Sequence, residues 1–429
     1  MKIIKYSLLL TTLTTLMCCN KKGCTDPNAA NYDIQATKND GSCENTVNYE
    51  YVLKGNITEN TTLDADHIWT LDGRVAVVDG VALTIESGTI IKAKSGSGSN
   101  ASSLIIARGA MLLANGTEEH PIIMTSEYDD IETDQKQGTS LNENVRGLWG
   151  GLIILGNAPG SFTGDVEEFQ IEGIPASDMN GLYGGLNSDD NSGIIKYVSI
   201  RHGGAEIGEG NEINGLTLAG VGSNTTIHHI EVVGNVDDGI EFFGGNVNAS
   251  ELLVWGQGDD GIDIDQGYSG TISNSMVILN EASDHAFEID GPEGSLNGSF
   301  TIENSTIVGA YYGCSATGVD GEMADFRKGA MGITNNILSI NFADGKDVEL
   351  DSPADANSYL NGDLIFNNWE IVWINGCLGG SISDIFNDKT GLTSFSNDAN
   401  SFANIVTNPT VGANPSSFLW TYANLNNAF

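Results

Sequence analysis

Between Gly215 and Asp290, carboxylates recur at a spacing that could bring them onto one surface. Glu241, Asp263 and Glu288 each stand between two apolar residues, in GIEFF, GIDID and AFEID. Asp265 and Asp290 follow two positions further on, while Asp237, Asp238, Asp259, Asp260 and Asp284 come just before. If these segments stack in register, their carboxylates lie about 4.8 Å apart from rung to rung. Like charges so placed repel, and a shared site pushes one pKa upward. Three chemistries are open to such a column. It can be a structural ladder, solvated or capped by Arg327 of ADFRKG. It can hold calcium through Glu241, Asp263, Glu288, Asp265 and Asp290, since that ion takes six to eight oxygens. It can also be catalytic, with Asp259, Asp260 and Asp263 as acid and base beside Arg327.

The elements that must position these groups repeat. GLTLAG (215–220), DDGIEFFGG (237–245), DDGIDIDQG (259–267) and DHAFEIDG (284–291) alternate apolar residues with a period of two, the mark of a strand with one buried face. Their steps of 22–25 residues are too short for a helix pair and predict a stacked solenoid, an all-β parallel β-helix. A preceding strand recurs as KYVSIRH, HHIEVVG, ELLVWGQ and SMVILNE, which places Arg201, Val233, Trp255 and Leu279 on an outward strip. An indole beside a guanidinium suits a sugar ring or its carboxylate, so Arg201 and Trp255 are candidate glycan contacts. The alternative is that an insertion covers the strip. Two polar stretches, 128–147 and 160–192, read as such insertions. The helix is expected over 49–345, followed by an irregular last coil and cap over 346–429.

Composition narrows the classes further. A net charge of −39 excludes nucleic acid and anionic lipid surfaces as partners. His228 and His229 are strand neighbours that should point to opposite faces, and no histidine has companions at zinc-site spacing. Neither a GxSxG elbow nor a phosphate-cradling loop is present. Lys2 and Lys5 precede an apolar run ending at Met17, which reads as an export signal over 1–18. Within 19–48, Cys24 and Cys43 are expected to pair, closing a small polar module. Its Asp26, Asn28, Asp33 and Asp40 could ligate calcium or merely solvate a spacer. Cys314 and Cys377 can be a second disulfide or two buried thiols.

Several of these stretches resemble known families. The signal running into Cys18-Cys19 resembles a bacterial lipoprotein signal, implying export, a lipid on Cys18 or Cys19 and a place in the cell envelope at the outer membrane. GCTDP…NY…DGSC resembles a short module of exported Bacteroidota proteins. VVDGVALTIESGTIIKA, HPIIMTSE, RGLWGGLIILGNAP, IKYVSIRHGG and NVDDGIEFFGG look like exported Bacteroidota proteins with a pectin-lyase-like right-handed β-helix. That resemblance spans roughly 60–345 and implies fold and envelope location, with no single activity. β-Helix polysaccharide lyases use calcium and a basic proton abstractor, and polygalacturonase-type hydrolases use clustered aspartates. DDGIDID is similar to part of the latter signature, but GHG and RIK segments are missing. The expectation is a binding or structural module for glycan or another surface component, with calcium as a candidate ligand; the alternative is a calcium-dependent lyase or a glycoside hydrolase.

Overall fold

The computed structural model describes residues 21–25, 31, 33–43, 51–206, 213–310, 321–373 and 380–429. The chain divides into two units, Met1–Glu50 and Tyr51–Phe429. In the first, Cys24 and Cys43 form the expected disulfide, and Lys22–Gly23 pairs with Lys38–Asn39. Asp33 is paired with Lys21 at 2.7 Å, and Asp40 accepts from the Ser42 amide at 3.0 Å. Asp26 and Asn28 lie outside the described residues, as do Cys18, Cys19, Cys314 and Cys377.

The second unit is a right-handed parallel β-helix whose strands join one continuous sheet of 25. Three faces wind around a single apolar core. The third face carries Leu152–Leu155, Leu216–Ala219, Ile240–Phe243, Ile262–Asp265, His285–Asp290, Glu322–Arg327, Val348–Leu350 and Phe386–Asp388, each paired in parallel with the next. Alternation does what the sequence implied: Leu216, Leu218, Ile240, Phe242, Ile262, Ile264, Phe287 and Ile289 are all buried inside. Each such side chain contributes roughly 1.5–3 kcal/mol by leaving water.

Two expectations change. Steps of 24, 22 and 25 residues link Leu216, Ile240, Ile262 and Phe287. Beyond them the steps to Ala324 and Phe386 lengthen to 37 and 38, while the step to Val348 between them stays at 24. The step to Phe386 contains the helix Pro353–Asn361, begun by a Ser352–Asp355 capping box. Strand pairing also continues past residue 345, through Leu364–Val372 to Ala403–Ile405, so that the region expected as an irregular last coil and cap carries further paired strands, interrupted by short helices. Its strands were hard to see because polar Asn and Asp fill the outward positions and the turns.

The first and second faces share long strands, such as Thr226–Val233 and Gly332–Ile340, each bent at one residue in the left-handed region. The corner residues are Tyr197, His229, Glu251, Asn274, Asn304, Asn336 and Asn368, with φ between 50° and 55°. Asn tolerates this conformation better than most side chains. Here its amide is also used, Asn368 donating to Asn336 at 2.7 Å and Asn336 to Asn304 at 2.9 Å. Asn336→Ala should therefore cost about 1–3 kcal/mol, combining the corner penalty with a broken amide ladder. Urea unfolding measures it, and a midpoint equal to the parent's would refute the assignment.

After residue 405 the chain returns along the outside of the second face. Thr410 bonds to Glu370, Ala413 to Thr306 at 2.9 Å, and Asn414 to Asn274 at 2.6 Å. Tyr422 and Ala423 then reach Glu231. Phe418 and Ala423 cover Leu253, Met276, Ile278 and Val308, which point outward from the helix yet are buried.

Candidate functional site

Period-two alternation turns alternate side chains of each third-face strand outward, and pairing stacks Thr217, Glu241, Asp263, Glu288, Asp325, Glu349 and Asn387 in one file. Asp325 and Glu349 were missed from sequence, although ADF and VEL carry the same apolar–acid–apolar pattern. Longer loops hid their register. The file is not the exposed ladder anticipated: Glu241 and Asp263 are only 6% and 8% exposed. The insertion over 160–192 lies across this face beside them. Tyr183 and Phe162 pack near Phe243, and the Tyr183 hydroxyl donates to Gln266 at 2.6 Å.

Asp238, at the turn, joins Glu241 and Asp263, one oxygen of each lying within 4.8 Å of the others. Asn214 donates to Glu241, while Asp263 Oδ1 has no hydrogen-bond partner among the described residues. Loss of water, then mutual repulsion, pushes all three carboxyls well above the usual range. One turn along, Asp260 Oδ1 accepts from the His285 amide at 2.7 Å and meets its Nδ1 at 2.9 Å. Burial alone would push His285 down; the hydrogen bond and charge of Asp260, with Asp284, hold it up at about 9. Glu288 is pushed up to about 8 by burial and Asp260, and Asp325 to about 7 chiefly by burial. Asp259, at the solvent-facing rim, is raised to about 6 by the surrounding protein and by Asp260 and Asp284. Asp265 is likewise raised to about 6, by burial and Asp290.

Arg327 sits one rung beyond Asp290. Its Nε and Nη2 grip Asp290 at 2.7 and 3.0 Å, and Nη2 also bonds Glu288. Lys328 Nζ meets Asp290 at 2.5 Å. Burial would lower the Arg327 pKa, but these carboxylates hold it above its ordinary value. So held, the guanidinium bridges Glu288 of the file to Asp290 of the shorter column beside it.

The outward strip on the second face is corrected. Register gives Arg201, Val233, Trp255 and then Ile278; Leu279 turns into the core instead. Arg201 is 1% exposed, its guanidinium lying 4.6 Å over the Tyr422 ring, so it is not a surface contact. The returning C-terminal segment covers it, aided by the first insertion, whose Leu141 carbonyl accepts from the Tyr422 hydroxyl at 3.1 Å. Trp255 is only partly covered. It lines a cleft of about 680 Å³ with Glu143, Asn144, Arg146, Asn280 and Asn426.

A continuous three-faced parallel coil with carboxylates filed along one face defines a pectate-lyase-like scaffold. The chain belongs to the family described as the pectate-lyase like beta helix domain, which matches residues 55–421. No curated protein matches it. Among solved structures, it is similar to the family 28 exopolygalacturonase of Yersinia enterocolitica, at 12% identity over 78% of this chain and 74% of that one, with a TM-score of 0.16.

Proposed function

We propose that this is an exported protein of the cell envelope, lipid-anchored in the outer membrane through Cys18 or Cys19, whose β-helix binds glycan without cleaving it. The observation that carries this reading is the Trp255 cleft. An indole, a guanidinium, a carboxylate and several carboxamides line a volume within the range of ligand pockets, which is what a sugar's apolar face and hydroxyls require. The acidic face suits calcium: Asp238, Glu241 and Asp263 offer converging hard oxygens, one without a partner among the described residues, and the bound ion would neutralise repulsion there.

A second reading, glycoside hydrolysis, rests on Asp259 and Glu288, whose raised pKa values would suit a base and an acid. One experiment separates the two. The mature protein is incubated with calcium and a panel of plant, algal and microbial polysaccharides, following both retention and product release. Retention without cleavage, weakened at least about 10-fold by Trp255→Ala, is the expected result. New reducing ends that disappear with Asp259→Asn would establish the hydrolase instead, and unsaturated uronates a lyase.

A further inference from the structure

At the corner between the first and second faces, two imidazoles and a carboxylate converge on the solvent side. Strand neighbours ordinarily point to opposite faces. At His229, however, φ is 54°, and this left-handed bend swings its ring alongside that of His228. The two Nδ1 atoms are 2.7 Å apart, one N–H donating to the other's lone pair. Glu251, the corner residue of the next coil, places Oε2 3.7 Å from His229 Nδ1, and Ser250 donates to that same oxygen. One atom from each of the three lies within 4.8 Å of the other two.

We propose that His228, His229 and Glu251 form a binding site for a transition-metal dication of the zinc class, separate from the acidic face. Two imidazoles and one carboxylate suit Zn²⁺, Ni²⁺, Co²⁺ or Cu²⁺, whereas calcium prefers oxygen alone. Zinc–nitrogen bonds of about 2.0–2.1 Å set tetrahedral ligand atoms roughly 3.4 Å apart. The 2.7 Å and 3.7 Å separations reach that by small rotations about the side chains. The proton shared between the two Nδ1 atoms moves to an outer Nε2, which leaves both lone pairs facing the ion. Surroundings hold the ligands in place: the Tyr197 ring stacks on His229 at 4.3 Å, and Trp420 packs edge-on against Tyr197 at 5.5 Å. Glu118 and Glu119 add negative charge nearby, opposed by Lys196. His229 and Glu251 keep 18% and 25% of their side-chain surface open, so that an ion can enter and water or a ligand can complete its shell. Three protein ligands with an open position are the pattern of reactive rather than closed structural zinc sites.

The test uses metal-stripped mature protein carrying no histidine tag. Co²⁺ is added while visible d–d absorption and intrinsic tryptophan fluorescence are followed, and Zn²⁺ affinity is measured against a chelating dye in excess Ca²⁺. Saturation at one ion per chain is expected, with affinity lowered on the order of 100-fold in His229→Asn and at least 10-fold in Glu251→Gln. His229→Asn keeps the corner intact, because Asn274, Asn304, Asn336 and Asn368 occupy the same conformation in other coils. Absence of saturable binding, or binding unaltered by His229→Asn, would overturn the site.

Discussion

Glu231→Ala should lower the unfolding free energy by about 3–5 kcal/mol, among the largest single-residue losses in this chain. Glu231 is fully buried and accepts four hydrogen-bonding or charged partners in two directions. Ser199 donates to it at 2.5 Å and the Arg201 guanidinium lies at 3.9 Å. The Tyr422 and Ala423 amides donate from the returning segment at 3.1 and 2.8 Å. Arg201 is itself buried, and its Nη1 has no partner among the described residues, so removing the carboxylate leaves a buried cation without its Glu231 counter-charge. It also unhooks the segment that covers Leu253, Met276 and Val308, so apolar surface returns to water. Urea unfolding gives the loss, and hydrogen exchange at Tyr422 and Ala423 reports the unhooking. A variant within 1 kcal/mol of the parent, or one whose amides stay protected, would show that the clasp is incidental. Glu231→Gln keeps the volume and isolates the charge.

The second large effect is a dependence of stability on pH and calcium. Asp259 and Asp265 are raised to about 6, Asp325 to about 7 and Glu288 to about 8. Unfolded carboxyls titrate near 4, so between about pH 4 and 8 the native state binds more protons than the unfolded one. Stability from these groups is therefore present below pH 4 and declines as pH rises through 6 to 8. His285, raised to about 9, acts in the same direction, its contribution being complete below about 6.5 and lost through 9. Asp130 and Asp388, lowered to about 2, contribute fully above pH 4 and so leave the slope in this window unchanged. In chelator, melting temperature should fall from pH 5 to pH 8. Millimolar calcium should flatten that fall, because an ion among Asp238, Glu241 and Asp263 replaces the missing protons. Asp263→Asn should raise stability at pH 8 in chelator by on the order of 1–2 kcal/mol and lower it in calcium. Identical melting curves with and without calcium at pH 8 would remove the ion from this face.

The alternation of Leu216, Ile240, Ile262 and Phe287 with acids was enough to read a parallel coil, because the period-two pattern and the short repeat admit few other structures. The stacking of Glu241, Asp263 and Glu288 followed from the same pattern, since register in a coil is set by which residues must face the core. What lies over each file did not follow. Arg201 occupies an outward position, and it is the returning segment, with Tyr422 reaching Glu231 from some 190 residues downstream, that makes both residues interior. The acidic file is sheltered beside the 160–192 insertion for the same reason: cover comes from chain remote in sequence, with no period to betray it. The meeting of His228 with His229 depended on one left-handed dihedral, which reverses the rule that strand neighbours diverge. Local pattern determines which way a side chain faces; tertiary structure decides what it meets there.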